Sequence, residues 1–234
     1  MSLKLLVPFG LFLLVACLSP ATEEKAEEVP LHKNANGRAE GLQKNYYEDG
    51  KIKNEVTYVD GKRTGPARQY YTTGKLESEI TYKDNQKDGP SKWYYEDGIL
   101  YQEVTFVQGK KHGEEKKYHN TGKLMARLYW DNGRVLPGLK EYDFDGKELR
   151  QPYIAVSGQG KLTLKLSNAD ERVEFFVGKL AANQALEDAA VEPLQVVNGV
   201  ATYKLPAGAT SVHFIAKRKT ALKNEQLLTL EYKP

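Results

Sequence analysis

Between Tyr46 and Gly146 apolar and polar positions alternate with a period of two, in blocks that return every 24 residues. Ile52, Val56 and Tyr58 fall on one side of such a block, and Lys51, Lys53, Glu55 and Thr57 on the other. In the next block Leu76, Ile80 and Tyr82 oppose Lys75, Glu77, Glu79 and Thr81. That alternation is the signature of a half-buried strand, and its strict return marks an internal repeat. Gly50, Gly74, Gly98, Gly122 and Gly146 keep the same offset, as do Tyr46, Tyr70, Tyr94, Tyr118 and Tyr142. Four units fit, 46–69, 70–93, 94–117 and 118–141, after a worn half-unit carrying Gly37, Arg38 and Gly41. Asp49-Gly50 and its copies predict tight hairpin turns, because glycine reaches positive φ without steric cost. A second turn, Asp60-Gly61 to Gly65 with copies ending at Gly89 and Gly113, separates each hairpin from the next. Pro66 and Pro90 stand where a strand opens. The expected fold is therefore all-β: repeated hairpins joined as an antiparallel meander over 37–150.

Register gives the charges a structural use. With the turn centred on Asp49-Gly50, Tyr47 is expected opposite Ile52 and Lys44 opposite Glu55. The basic row Lys44, Arg68, Lys92, Lys116 and Lys140 then meets Glu55, Glu79 and Glu103 as cross-strand pairs, each contributing roughly 0.2 to 1 kcal/mol. Only the fourth unit departs, with Lys116 opposite Arg127. Together with Lys110, Lys111, His112 and Lys117 this makes 110–127 a locally basic contact surface. A one-layer sheet must also cover its apolar side. Tyr47, Tyr71, Tyr95, Trp93 and Trp130 are expected to present rings with wet polar tips to a partner, to a second copy or to the rest of the chain.

From Gln151 the period is lost. Leu162-Leu164-Leu166, Val173-Phe175-Val177, Val212-Phe214-Ala216 and Leu228-Leu230-Tyr232 alternate over longer runs. With 153–156, 194–197 and 200–205 they predict about seven strands over 151–234, a small β-sandwich. Leu180 to Ala190 reads as one short helix or an Ala-rich connection.

The N-terminal run is different. Lys4 followed by apolar Leu5 to Ala16 reads as a secretory signal over 1–16; Leu5 to Leu18 extends about 21 Å as helix, short of the roughly 30 Å of hydrocarbon in a bilayer. Leu14-Val15-Ala16-Cys17 resembles the bacterial lipoprotein cleavage site, which implies a lipid on Cys17, the one cysteine of the chain. Residues 17–36, with Pro20, Pro30 and Glu23, Glu24, Glu27 and Glu28, read as a disordered tether. The implied location is the cell envelope, at the outer membrane, on its periplasmic or surface face.

Composition narrows the function. Of 15 tyrosines, 12 lie between 46 and 142, so the repeat is expected to bury rings in place of aliphatic groups. Basic and acidic residues number 21 and 19 over 34–150, and 10 and 8 over 151–234, which supplies no basic face for nucleic acid. The four histidines, 32, 112, 119 and 213, are scattered, and no metal-ligand spacing or nucleophile–base set is visible. Alternation turns His213 away from the sandwich core. No enzyme activity and no cofactor are expected.

Tyr46-Tyr47-Glu48-Asp49-Gly50-Lys51, followed by Val56, Tyr58, Asp60-Gly61-Lys62 and Gly65, resembles the bacterial variant of the MORN repeat, found also in the YwqK-type, antitoxin-like family. The resemblance implies a scaffold or partner-binding sheet, and for the antitoxin-like members neutralisation of a toxin. The C-terminal module broadly resembles immunoglobulin-like domains of bacterial surface proteins. The reading is thus a non-enzymatic, membrane-anchored lipoprotein that binds a protein partner or itself; a toxin-neutralising immunity lipoprotein and a glycan-binding envelope protein are the alternatives. The candidate surface comprises Tyr47, Tyr71, Trp93, Tyr95, Lys110, Lys111, His112, Lys116, Lys117, Arg127 and Trp130.

Overall fold

The computed structural model describes residues 32–168, 172–180, 186 and 190–234. The expected signal peptide and Cys17 lie outside these residues, as does most of the Leu180 to Ala190 stretch. Among the described residues there is no helix. The repeat region contains β1 (Gly41–Tyr46), β2 (Ile52–Val59), β3 (Lys62–Arg63), β4 (Gly65–Tyr70), β5 (Leu76–Lys83), β6 (Gln86–Tyr94), β7 (Leu100–Val107), β8 (Lys110–Tyr118), β9 (Leu124–Asp131), β10 (Arg134–Val135) and β11 (Lys140–Glu141). They form one antiparallel sheet in the order β1-β2-β4-β5-β6-β7-β8-β9-β10, with β3 beside β2 and β11 beside β9. Sequence neighbours are therefore sheet neighbours.

Two turn types set the period. At the first, the Gly50 amide donates to the Tyr47 carbonyl at 3.0 Å and the Tyr47 amide to the Lys51 carbonyl at 2.8 Å, with Gly50 at φ 81°. This is a three-residue connection ending in a bulged glycine, and it recurs at Gly74, Gly98, Gly122 and Gly146. The second is a two-residue turn with both φ positive, Asp60 at 49° and Gly61 at 80°. The first turn corrects one expectation. Lys44 does pair with Glu55, but a register shift near Tyr46 sets that residue opposite Ile52 and leaves Tyr47 in the turn. The extra bulge residue displaces the pairing by one.

Neighbouring units are stitched at both ends. The Tyr47 hydroxyl donates to the Tyr70 carbonyl at 2.5 Å, Tyr71 to Tyr94 at 2.6 Å and Tyr95 to Tyr118 at 2.9 Å. In the fourth unit His119 Nε2 stands 3.1 Å from the Tyr142 carbonyl and takes the same place. At the other end the amides of Gly61, Asn85, Gly109 and Gly133 donate to the carbonyls of Ala39, Arg63, Lys87 and Lys111. The half-unit takes part in this, so the fold begins before the expected boundary at 37: Lys33 bridges to Ala39 and Asn34 accepts from the Arg38 amide and donates to Asp60.

The two sheet faces are chemically distinct. Across one runs Lys44, Glu55, Arg68, Glu79, Lys92, Glu103, Lys116, Arg127 and Lys140, each opposite the next. The other carries Val56, Ile80, Val104 and Leu128, with the rings Tyr58, Tyr82, Phe106 and Trp130. Arg63 lies 4.4 Å from the Tyr82 ring centroid, Lys87 5.1 Å from Phe106 and Lys111 4.5 Å from Trp130. Long basic stems thus cover the rings of their own sheet. Burial on this face deepens toward the fourth unit, where Ala126, Leu128 and Glu115 are almost inaccessible.

The cover there is the C-terminal module. It contains β12 (Ile154–Ser157), β13 (Lys161–Leu166), β14 (Val173–Gly178), β15 (Val191–Pro193), β16 (Val196–Val197), β17 (Val200–Lys204), β18 (Val212–Lys219) and β19 (Glu225–Tyr232). These make two four-stranded sheets, β12-β13-β17-β16 and β15-β14-β18-β19. Leu162, Leu164, Leu166 and Ala201 of one meet Val173, Phe175, Val212, Phe214 and Ala216 of the other in a shared core, so the sheets form a β-sandwich. Of the strand expected over 194–197, only Val196–Val197 is strand. Pro193 ends β15 in one sheet and β16 begins in the other, so the chain changes sheets at Leu194-Gln195.

Tyr71→Phe removes one stitch and leaves the ring in place. A loss of about 1 kcal/mol in the unfolding free energy is expected by urea titration; an unchanged value would show that this hydroxyl adds nothing to the joint between units.

Candidate binding surface

The structure divides the sequence-selected residues into three groups. Tyr47, Tyr71 and Tyr95 are half-buried and spend their hydroxyls on the next unit, so they hold the sheet together and do not project from it. Trp93 is half-buried on the apolar face between Ser78 and Gln102, with Lys87 5.8 Å from its ring.

A second group, Lys111, Lys117 and Trp130, is drawn into the junction between the modules. At its centre is Glu115, with no accessible surface. Its carboxylate accepts from Gln102 Nε2 at 2.6 Å, Lys111 Nζ at 2.8 Å and Trp130 Nε1 at 2.6 Å, with Lys117 Nζ 3.8 Å away. Lys117 donates onward to Asn224 Oδ1 at 2.6 Å. Asn224 and Thr220 both donate to Glu141 Oε1, at 2.8 and 2.5 Å. Every donor faces an acceptor, the condition under which a buried polar network holds two surfaces together. Burial pushes the Lys117 pKa down from the ordinary lysine value, against the pull of Glu115. Beside this network, Val135 and Trp130 pack with Ile215, Leu227, Phe176 and Leu186. His213 does turn from the sandwich core, but the face it joins is this covered one. It is half-buried, and its Nε2 has no hydrogen-bond partner.

The third group stays near solvent. Lys110 and His112 are exposed, with His112 Nδ1 3.5 Å from Asp131. Lys116 and Arg127 stand opposite each other as expected, but Glu114 lies between them, accepting from Arg127 Nε at 2.6 Å and lying 3.3 Å from Lys116 Nζ. Burial opposes the Glu114 charge, yet the bonds from Arg127 and Lys116 outweigh it and hold the carboxyl below its ordinary value. Nearby, desolvation and a 2.8 Å bond to Glu103 push Tyr118 up to about 12. The basic patch is therefore balanced from within. A shallow cavity of about 190 Å³ lies over Lys92, Glu103, Thr105, Glu114 and Lys116, below the roughly 300 Å³ usual for a small-molecule site. Among the described residues no group of His, Cys, Asp and Glu is placed to hold a metal ion.

Glu115, Glu141, Thr220 and Asn224 escaped the sequence reading. The one available signal was positional: Glu115 stands 24 residues after Ser91 and 48 after Ala67, a carboxylate where other units place a small side chain.

Residues 39–60, 63–84, 87–108 and 111–132 each match the family model described as MORN repeat variant. Each match spans a hairpin around a first turn, and the second turns fall at the joins between matches. The chain therefore carries four MORN repeat variants, and they take in β1 to β9. No curated protein matches the chain.

Glu115→Gln leaves the shape and removes the charge that Lys111 and Lys117 face. A loss of about 3 kcal/mol or more in stability is expected, as for a broken buried ion pair, together with a changed Trp130 emission. A loss below about 1 kcal/mol would show that the junction does not rest on this carboxylate.

Proposed function

We propose that this chain, with its four MORN repeat variants, is a non-enzymatic, membrane-anchored envelope lipoprotein whose repeat sheet and C-terminal sandwich serve as a protein-binding scaffold. The observation that carries the reading is how the repeat uses its side chains. Tyrosine hydroxyls, cation–ring contacts and alternating ion pairs recur from unit to unit and serve the sheet itself, as a platform requires. The fourth unit alone is adapted to hold the sandwich, so platform and C-terminal module present their outer surfaces together. Leu14-Val15-Ala16-Cys17, followed by a stretch with Glu23, Glu24, Glu27 and Glu28 between Pro20 and Pro30, supports the anchor. Several acyl chains on one cysteine hold a protein at a membrane surface, each buried methylene adding about 0.8 kcal/mol.

Cys17→Ala is expected to abolish acyl labelling and move the protein from the membrane to the soluble fraction. Retention of the variant in washed membranes would overturn the anchor. Stoichiometric capture of envelope proteins by the lipidated chain supports the scaffold; capture of one small secreted toxin would replace it with the immunity reading, and turnover of an envelope polymer would overturn both.

A further inference from the structure

Among the described strands three cross-strand pairs set cation against cation: Lys116 with Arg127, Arg127 with Lys140, and Lys161 with Lys204. Glu114 and Glu148 answer the first two. No carboxylate answers the third. Lys161 on β13 and Lys204 on β17 are exposed, as is Lys165 four residues along from Lys161, and none of the three forms an ion pair among the described residues. Like charges directly opposite destabilise a sheet, a cost that the fold itself does not offset here. Neither Asp nor Glu occurs between Glu148 and Asp170 or between Glu192 and Glu225, so β12, β13, β16 and β17 and the turns of their two hairpins are without one. Ile154 and Val196 face the sandwich core, which turns their neighbours Tyr153 and Val197 outward beside the lysines, 58% and 61% exposed.

The direction of this face follows from the layers. The β15-β14-β18-β19 sheet rests on the fourth unit through Phe176, Ile215 and Leu227, and its other side shares a core with β12-β13-β17-β16. The lysine face is therefore the layer farthest from the repeat sheet, standing off its apolar face by two inter-sheet spacings, about 20 Å. A tether from Cys17 to His32 has a root-mean-square reach of about 20 to 24 Å. The two lengths agree, so a lipid on Cys17 and the lysine face reach one surface. The tether's own glutamates do not fill the face. His32 lies against Gln43 of β1, and Glu23 extends at most about 32 Å from it, whereas β1 and β9 are about 34 Å apart across the sheet, with the height of the sandwich beyond.

We propose that the outer face of β12-β13-β17-β16 is a membrane contact that lies on anionic lipid headgroups. Cys17 and the sandwich then hold the repeat sheet at two points, with its apolar face toward the bilayer. Lysine stems carry their charges to the headgroups, and the Tyr153 ring suits the boundary between headgroup and hydrocarbon.

This inference deepens the anchor reading and rests on it, and its test is separate. The full lipidated chain is reconstituted at low salt in phosphatidylcholine vesicles with and without phosphatidylglycerol, and acylation of each lysine is followed by mass spectrometry. Lys161, Lys165 and Lys204 are expected to react about fivefold or more slowly in the anionic vesicles, the factor that one lysine's attraction to such a surface supplies. Salt at about 1 M should restore their rates by screening. Lys140, on the polar face turned away from the bilayer, should keep its rate. Lys161→Gln with Lys204→Gln, both at exposed positions, should free Lys165 from protection while acyl labelling of Cys17 persists. Equal rates in the two vesicles, equal slowing of Lys140, or protection that survives the double substitution would each overturn the membrane contact. Slowing by soluble polyglutamate in neutral vesicles, with none from phosphatidylglycerol, would overturn it too and assign the face to an acidic protein. If Cys17→Ala leaves the membrane while the three lysines of the lipidated chain stay reactive, the anchor stands and this contact is lost.

Discussion

A single-layer sheet must keep its apolar face from water, and the rest of this structure follows from how that is done. At the start of the second, third and fourth matched repeats, 63–84, 87–108 and 111–132, a basic residue at the same position lies over the ring of the row, Arg63 on Tyr82, Lys87 on Phe106 and Lys111 on Trp130. Each contact contributes about 0.5 to 1 kcal/mol where exposed, and the stem shields apolar surface besides. Lys111 does more, since it also reaches Glu115. Ala39 holds the corresponding place in the first repeat, 39–60, and Tyr58 has no such cover. The sheet is therefore self-covered through its middle and relies on the sandwich at its C-terminal end.

That division explains why the fourth unit departs from the others. Where the second and third units have Ser78 and Gln102, the fourth has Ala126; where they have Gln69 and Trp93, it has Lys117; where they have Tyr71 and Tyr95, it has His119. Each change suits a buried joint. Ala126 removes bulk, Lys117 reaches Asn224, and His119 keeps the stitch to the next carbonyl while stacking on Phe144 with ring centroids 4.2 Å apart. In a repeat array each unit contacts only its neighbours and their energies add along one dimension. Here that additivity ends at the fourth unit, which shares a core with Ile215 and Leu227 of the sandwich.

Much of this was legible in the sequence because it is local and replicated. The period, both turn classes, the Lys44 to Glu55 pairing and the Lys116 to Arg127 contact all follow from residues within one hairpin of each other. The pairing of Tyr47 did not, since alternation cannot count the residue that a bulge adds. The junction was invisible for a different reason. Glu115 meets Lys117, which meets Asn224 over a separation of 107 residues, and on a period-two pattern a buried glutamate among lysines looks like a solvated charge. Alternation also leaves open what Trp130 and Lys111 face: a ring and a cation on a sheet face look alike whether water or a second module lies above them.

The same physics limits where a partner can be held. Opposite charges alternate across the polar face from Lys44 to Glu103, and even the trio Lys116, Arg127 and Lys140 is countered by Glu114 and Glu148. On the other face, basic stems and the sandwich cover the rings. A partner docking on either must displace contacts that already satisfy it. Edges are a liability in a sheet of this length, and the C-terminal one is closed by β10 and β11. At the other end Lys33 bridges Ala39 and the Glu40 amide donates to the His32 carbonyl, so the chain's own residues begin to close the β1 edge as well.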